Sequence, residues 1–256
     1  MTSDLLHRVH DNFAGAVQVM AAYSGGKVLE EDGLVCYSSS SPSPFPWNGA
    51  IRVSGDLPAE EVVRRASAFF GPIGHGFAVG ALEGIDDDLI TALGEPSDSS
   101  PEMVMDHRPD PFVPGDEVEV LVASTDDHRI DWLRVVSEAF ETLGESRETW
   151  HLNYPDLESV NNPKTVAMVA YVDEEPAAGG MYYRSGSVIE VLHIGTANAF
   201  RRRGLGRAIA SALTAHGFDN GATLASLQAE PMGFNTYRRV GYEVVSNYHW
   251  YINPTA

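Results

Sequence analysis

Apolar positions recur along the chain with two different periods. Leu5, Leu6, Val9, Phe13, Val17 and Met20 fall near helical spacing, which predicts a helix over 4–23, ended by Gly25-Gly26. Lys27–Glu31 and Leu34–Ser38 read as short strands around Asp32-Gly33, a hairpin dipeptide. Ser38 to Trp47 is rich in serine and proline and reads as an exposed loop. Asn48–Ser54 follows as a strand. Pro58–Phe70 reads as a helix, with Pro58 near its start and Glu60-Glu61 in its first turn. His75–Ala81 is a strand, Asp86–Leu93 a short helix and Met103–Asp106 a short strand.

Beyond residue 116 the pattern starts again. Val118–Ala123 is a strand, Asp131–Leu143 a helix and Glu145–Leu152 mostly helical. Thr165–Val172 and Ala177–Tyr183 are strands joined by a turn at Asp173–Pro176, and Val188–Thr196 is a third. Gly204–Phe218 is a helix, Ala222–Ala229 a strand, Met232–Val240 a helix and Tyr242–Ile252 the last strand. The strand–helix–strand unit at 188–229 implies at least one parallel pair in a mixed sheet.

Between the two runs, His107 to Asp116 holds three prolines and a glycine. Such a stretch continues neither a helix nor a central strand. It divides the chain into an N-terminal module over 1–106, a linker over 107–116 and a second domain over 117–256.

Composition narrows the function classes. At 256 residues the chain is long enough for one large domain or two small ones. It has no apolar run long enough to span a bilayer and no basic, signal-like start, so no membrane role is expected. The single cysteine, Cys36, excludes an internal disulfide and a cysteine-based zinc site, and a cytoplasmic location is the default reading. The histidines are scattered and no metal-ligand spacing occurs, so no metal is expected. A net charge of −19 argues against nucleic acid as a partner. Against that background, residues 201–239 carry six arginines and only Asp219 and Glu230 as acids. A basic segment in an acidic protein points to an anionic ligand.

The centre of that segment is Arg201-Arg202-Arg203-Gly204-Leu205-Gly206-Arg207, between the strand 188–196 and the helix that follows. Backbone N–H groups at such a helix start can face a phosphate. Gly204 and Gly206 let an anion approach the main chain. A dinucleotide fingerprint would need a third small residue where Ile209 stands, and the Gly-Lys-Ser/Thr of a P-loop is absent.

Arg201-x-x-Gly204-x-Gly206 and the later Tyr237-Arg238-Arg239-Val240-Gly241-Tyr242 resemble two signatures of the Gcn5-related N-acetyltransferase (GNAT) superfamily. The resemblance covers roughly 117–252. It implies an α+β fold with a mixed, mostly antiparallel central sheet flanked by helices, in two tandem modules. The N-terminal one is a degenerate GNAT-like module that shapes the acceptor pocket. The resemblance also implies acetyl-CoA as co-substrate. Its phosphates would lie on Arg201, Arg202, Arg203, Gly204, Leu205, Gly206 and Arg207, and its pantetheine arm along Ile194, Gly195 and Thr196. The oxyanion donor would be the N–H of Ile194 or a neighbour.

Two side chains then fit the roles that acetyl transfer to an amine requires. Glu190, eleven residues before Arg201, lies at the family's offset for a general base, and its neighbours Ile189 and Val191 suit a raised pKa. Tyr237 corresponds to the family's general acid. His193 is the competitor for the base, on the opposite face if strand alternation holds and on another face if a bulge intervenes. One position departs from the family pattern: Glu230 stands where Asn or Ser is common. The implied activity is N-acetyl transfer by direct attack in a ternary complex. Its acceptor is a small-molecule or peptide amine, and the protein is a monomer or homodimer. The rival is a non-catalytic acyl-CoA-binding or regulatory protein. Phe45 and Trp47 are expected to pack beneath their own loop.

Overall fold

The computed structural model describes residues 3–255. In chain order the elements are α1 (Ser3–Tyr23), β1 (Val28–Glu31), β2 (Leu34–Tyr37), β3 (Gly49–Arg52), α2 (Ala59–Phe70), β4 (Ala78–Leu82), α3 (Asp87–Leu93) and β5 (Asp98–Met105). They continue with β6 (Val118–Val122), α4 (Asp126–Glu141), α5 (Arg147–Asn153), β7 (Asn161–Asn162), β8 (Thr165–Val172) and β9 (Glu175–Ser185). The last are β10 (Val188–Thr196), a 3-10 turn (Asn198–Phe200), α6 (Leu205–Asp219), β11 (Leu224–Gln228), α7 (Phe234–Val240) and β12 (Glu243–Ile252). The chain forms two compact units, one up to Glu102 together with Val244 onward, the other Met103–Glu243. Among the described residues no helix is long and apolar enough to cross a membrane. The fold is α+β, and its sheets are mostly antiparallel.

In the first unit the hairpin β1–β2 turns at Asp32 and Gly33, both at positive φ, as a two-residue primed turn requires. β2 pairs β3 antiparallel, and β3 pairs β4 in parallel, with α2 crossing between them. Alternation puts Cys36, Ala50, Val79 and Ala81 against Val62, Ala66 and Phe70 of α2. The opposite face puts Val35, Tyr37, Ile51 and Leu82 against Ala14, Val17 and Ala21 of α1.

Two expectations change here. β12 was read as the last strand of the second domain, but it pairs β4 antiparallel from Tyr248↔Leu82 to Ile252↔Ala78, so Val244 onward groups with the first unit. The stretch 38–47 was read as exposed, yet Ser38, Ser39 and Ser41 are buried. The reason is Asn48, fully buried, whose side chain replaces water for this loop. Its Oδ1 accepts from the Ser39 N–H (3.0 Å), and its Nδ2 donates to the carbonyls of Ser41 (2.7 Å) and Ser43 (2.6 Å). Trp47 is fully buried, and the Phe45 ring packs in its own unit, 4.5 Å from that of Trp250.

In the second unit the strand order is β11-β10-β9-β8-β6, with β10–β11 parallel and the other pairs antiparallel. Helices cover both faces of β9 at the adjacent residues Gly179 and Gly180. A Cβ on Gly179 would meet Trp132 of α4 at 2.9 Å, and one on Gly180 would meet Ile209 of α6 at 2.8 Å. The glycine pair is what lets the two helices approach the sheet this closely. The Trp132 indole N–H donates to the Gly180 carbonyl (3.0 Å). α4 starts five residues earlier than its apolar spacing predicts, because Thr125 caps it by accepting from the His128 N–H (3.2 Å). β5 reaches back to Asp98, and β7 is a short strand with no sequence signal of its own.

Candidate functional site

β10 and β11 begin as neighbours and then part. Their register runs Val188↔Leu224, Ile189↔Ala225 and Glu190↔Ser226 and stops there, although β10 continues to Thr196 and β11 to Gln228. From Val191 onward β10 keeps only β9: Val191↔Tyr182 and Leu192↔Met181, then, past a bulge, Gly195↔Gly179 and Thr196↔Ala178. The β11-facing edge of 191–196 therefore presents backbone donors and acceptors with no strand partner among the described residues. An extended amide-bearing ligand can pair with such an edge. Ile194, Gly195 and Thr196, the residues the resemblance assigns to the pantetheine arm, lie on it. α4 also comes close to β10 at Gly195, where a Cβ would sit 2.8 Å from Ala139.

The open edge leads into the glycine loop. Gly204 takes a left-handed φ of 83° and is the residue before the first turn of α6, while Arg202 has φ 63°. α6 has 15 residues and no acid in its first turn, so its free N–H groups and dipole favour an anion. The four arginines differ in their surroundings. Arg201 donates to the Thr196 carbonyl (3.4 Å) and to Thr142 Oγ1 (3.3 Å). Arg203 pairs with Glu117 at 3.3 Å. The Arg207 guanidinium lies over the Phe112 ring, 4.0 Å from its centroid. Arg202 is exposed and has no side-chain partner among the described residues. The apolar anchor of the loop is Leu205, buried with Ile209 and Leu213.

Glu190 sits at the vertex of the split. Ile189 packs against α6, where a Cβ on Gly217 would clash with it, so alternation turns Glu190 away from α6. Its carboxylate is 2% exposed and accepts a hydrogen bond from the Ser226 hydroxyl. Burial pushes its pKa up to about 8, against the smaller opposing effect of that hydrogen bond. Ser226 went unnoticed in the sequence. It is brought to Glu190 by the parallel register alone, and nothing in its local pattern signals the contact.

His193 occupies the bulge, at φ 57°. The bulge breaks the alternation and seats the ring among Phe140, Trp150 and Tyr154, with centroids 6.1, 4.8 and 5.7 Å away. Burial there pushes its pKa down to about 3, so the imidazole is neutral and a weak proton acceptor at pH 7.

Tyr237 lies on α7, half-buried, its ring against Gly233 and 6.4 Å from the Tyr242 ring. Burial, then the charge of Glu230, pushes its pKa up, which keeps the phenol protonated. The unusual Glu230 thus acts on Tyr237, and its carbonyl also accepts the N–H groups of Gly233 and Phe234 at the start of α7. Tyr242 is fixed by a 2.6 Å hydrogen bond to Thr214 of α6.

Apart from this site, a concavity of about 620 Å³ lies along β6, lined by acids that include Glu117, Glu119, Asp131 and Asp173. It contains none of the residues singled out above except Glu117. Among the described residues no group of three His, Cys, Asp or Glu is placed to hold a metal ion.

Comparison with known proteins agrees with this geometry. Residues 129–242 match the acetyltransferase (GNAT) family. No curated protein sequence matches the chain. Among solved structures, a GCN5-related N-acetyltransferase from Kribbella flavida is similar at TM-score 0.71 and 18% identity, covering 95% of this chain and 96% of that one. A GCN5-related N-acetyltransferase from Sphaerobacter thermophilus gives TM-score 0.58 and 15% identity over 88% of this chain and 78% of that one. A tandem GNAT protein from the clavulanic acid biosynthesis pathway gives TM-score 0.58 and 11% identity over 87% and 79%. At these identities the likeness is one of fold.

Proposed function

With an acetyltransferase (GNAT) domain over residues 129–242 as the premise, we propose that the protein is an acetyl-CoA-dependent N-acetyltransferase acting on a primary amine. The observation that carries this reading is the parting of β10 from β11 at Glu190, eleven residues ahead of the Arg201–Arg207 loop. Acetyl-CoA supplies the activated acetyl group as a thioester. Arg202, the N–H groups around Gly204 to Gly206 and the α6 dipole hold its phosphates, and the open edge of Ile194–Thr196 orients its amide-bearing arm. The open amides of that edge also face the charge that develops on the thioester carbonyl oxygen.

Glu190 accepts the proton of the attacking amine through an intervening water. A carboxylate of pKa about 8 is a far better base near neutrality than an imidazole of pKa about 3. This favours Glu190 over His193. The Tyr237 O–H donates to the leaving sulfur, and its raised pKa keeps that proton in place until it is needed. On this reading the first unit is a GNAT-like module without a donor site of its own.

Thiol release from acetyl-CoA, screened over a broad panel of primary amines, tests the activity. Glu190→Gln is expected to lower kcat by roughly 10²–10⁴-fold, as loss of a general base does. It also abolishes the rise of kcat/KM with pH through about 8. Tyr237→Phe is expected to lower kcat with little effect on acetyl-CoA binding. CoA binding with no turnover of any amine would favour the non-catalytic reading.

A further inference from the structure

The proline-rich segment 107–117, read from the sequence as a linker, belongs to the second unit and does not hang free of the site. Phe112 and Pro114 lie against Gly204, at 3.4 and 3.5 Å from where its Cβ would be. The Phe112 ring carries the Arg207 guanidinium at 4.0 Å. Three residues past Pro114, Glu117 pairs with Arg203 at 3.3 Å. This Pro-rich strap therefore touches three of the seven residues of the glycine loop.

The two arginine contacts differ in kind. Among the described residues the Arg207 side chain makes no hydrogen bond, and its Nε is buried without an acceptor, so the aromatic face is what fixes the guanidinium. A guanidinium held on a ring face keeps its N–H edges free for an anion. Arg203 is instead occupied: its charge is answered by a carboxylate, with both side chains close to half exposed. An anion at the loop has to compete with Glu117 for it.

We propose that the strap Phe112–Glu117 sets the affinity of the donor site, Phe112 by holding Arg207 ready for the CoA phosphates and Glu117 by occupying Arg203 until a phosphate displaces it. This rests on the reading of the loop as the CoA site. Phe112 is a positioning residue, and Glu117 is a competitor built into the chain. The two side chains act in opposite directions five residues apart, a pattern that general loosening of the strap does not produce.

The test is calorimetric titration of the full-length protein with CoA, which needs no knowledge of the acceptor. Phe112→Leu keeps the apolar bulk against Gly204 but removes the ring face, and is expected to weaken CoA binding by between about threefold and thirtyfold. Phe112→Tyr is expected to restore it. Glu117→Gln is expected to tighten binding by about two- to fivefold, the scale of an exposed ion pair. Unfolding temperatures of the variants should stay close to that of the parent. If the parent binds CoA and Phe112→Leu matches it, or Phe112→Tyr fails to rescue, the role of Phe112 is overturned. If Glu117→Gln matches the parent or weakens binding, the role of Glu117 is overturned. If the parent binds no CoA, the loop assignment itself fails, and the proposal with it.

Discussion

Each unit contains one version of the same device, a strand, a loop, a helix and a second strand parallel to the first. In one it is β3–α2–β4, in the other β10–α6–β11. The loops end differently. α6 opens on left-handed Gly204 with no acid in its first turn and with Arg207 inside it. α2 opens on Pro58 and places Glu60 and Glu61 in its first turn. Glu61 is held down to about 2 by Arg64 and Arg65, so it is fully charged at the positive end of the helix dipole.

The strand ends differ as well. β10 ends in Thr196 with an open edge. β3 ends in Arg52, 1% exposed, which donates to Asp86 (2.9 Å), to Asp88 through two nitrogens (2.9 and 2.6 Å) and to the Leu57 carbonyl (3.0 Å). Arg52 thus fills its own loop from within. One topology therefore gives the loop proposed as an anion cradle or a self-sealed joint, and the difference lies in glycine placement and charge rather than in the order of elements.

The comparison can be broken from either side. The largest effect is expected at the sealed joint. Arg52→Ala takes the guanidinium from buried Asp86, leaving it only the Leu82 N–H (3.0 Å) and His10 (3.7 Å), and urea unfolding should show a loss of about 3–5 kcal/mol. CoA affinity of the protein that remains folded should be unchanged. Next comes the cradle: Arg207→Glu gives α6 the acidic first turn of α2 and should raise the Kd for CoA by roughly ten- to a hundredfold, the worth of a charged hydrogen bond, with little loss of stability.

Smaller still is the effect of Ser226→Ala. The Ser226 hydroxyl lowers the Glu190 pKa, so its removal should move the acidic limb of kcat/KM to higher pH by under about one unit. The same carboxyl links pH to stability. Its pKa is about 8 in the folded protein against 4.5 ordinarily, so its contribution is full below pH 4.5 and is lost as pH rises through 8. Urea unfolding at pH 6 and pH 9 should show that decline in the parent and a weaker one in Glu190→Gln.

The parts of the proposed cradle were readable in the sequence because they are contiguous. An apolar strand run, glycines at 204 and 206 and clustered arginines lie within twenty residues, and periodicity and turn chemistry report such local patterns. What escaped was set by distant partners. Ser226 meets Glu190 only through parallel register, and β12 finds β4 across most of the chain. The serine-proline loop looked solvated because its composition says nothing of the buried Asn48 amide that satisfies it. Phe112 lay in a stretch whose prolines mark it as a linker, and nothing local reveals that a linker folds onto a loop ninety residues later.

If the proposal holds, only the α6 loop binds the donor. Titration calorimetry with CoA on the parent protein, Arg207→Glu and the double variant Glu60→Gln/Glu61→Gln measures this directly. The expected result is one CoA per chain in the parent, the same affinity and stoichiometry in the double variant, and severely weakened binding in Arg207→Glu. Two sites per chain, or an affinity untouched by Arg207→Glu, would contradict it.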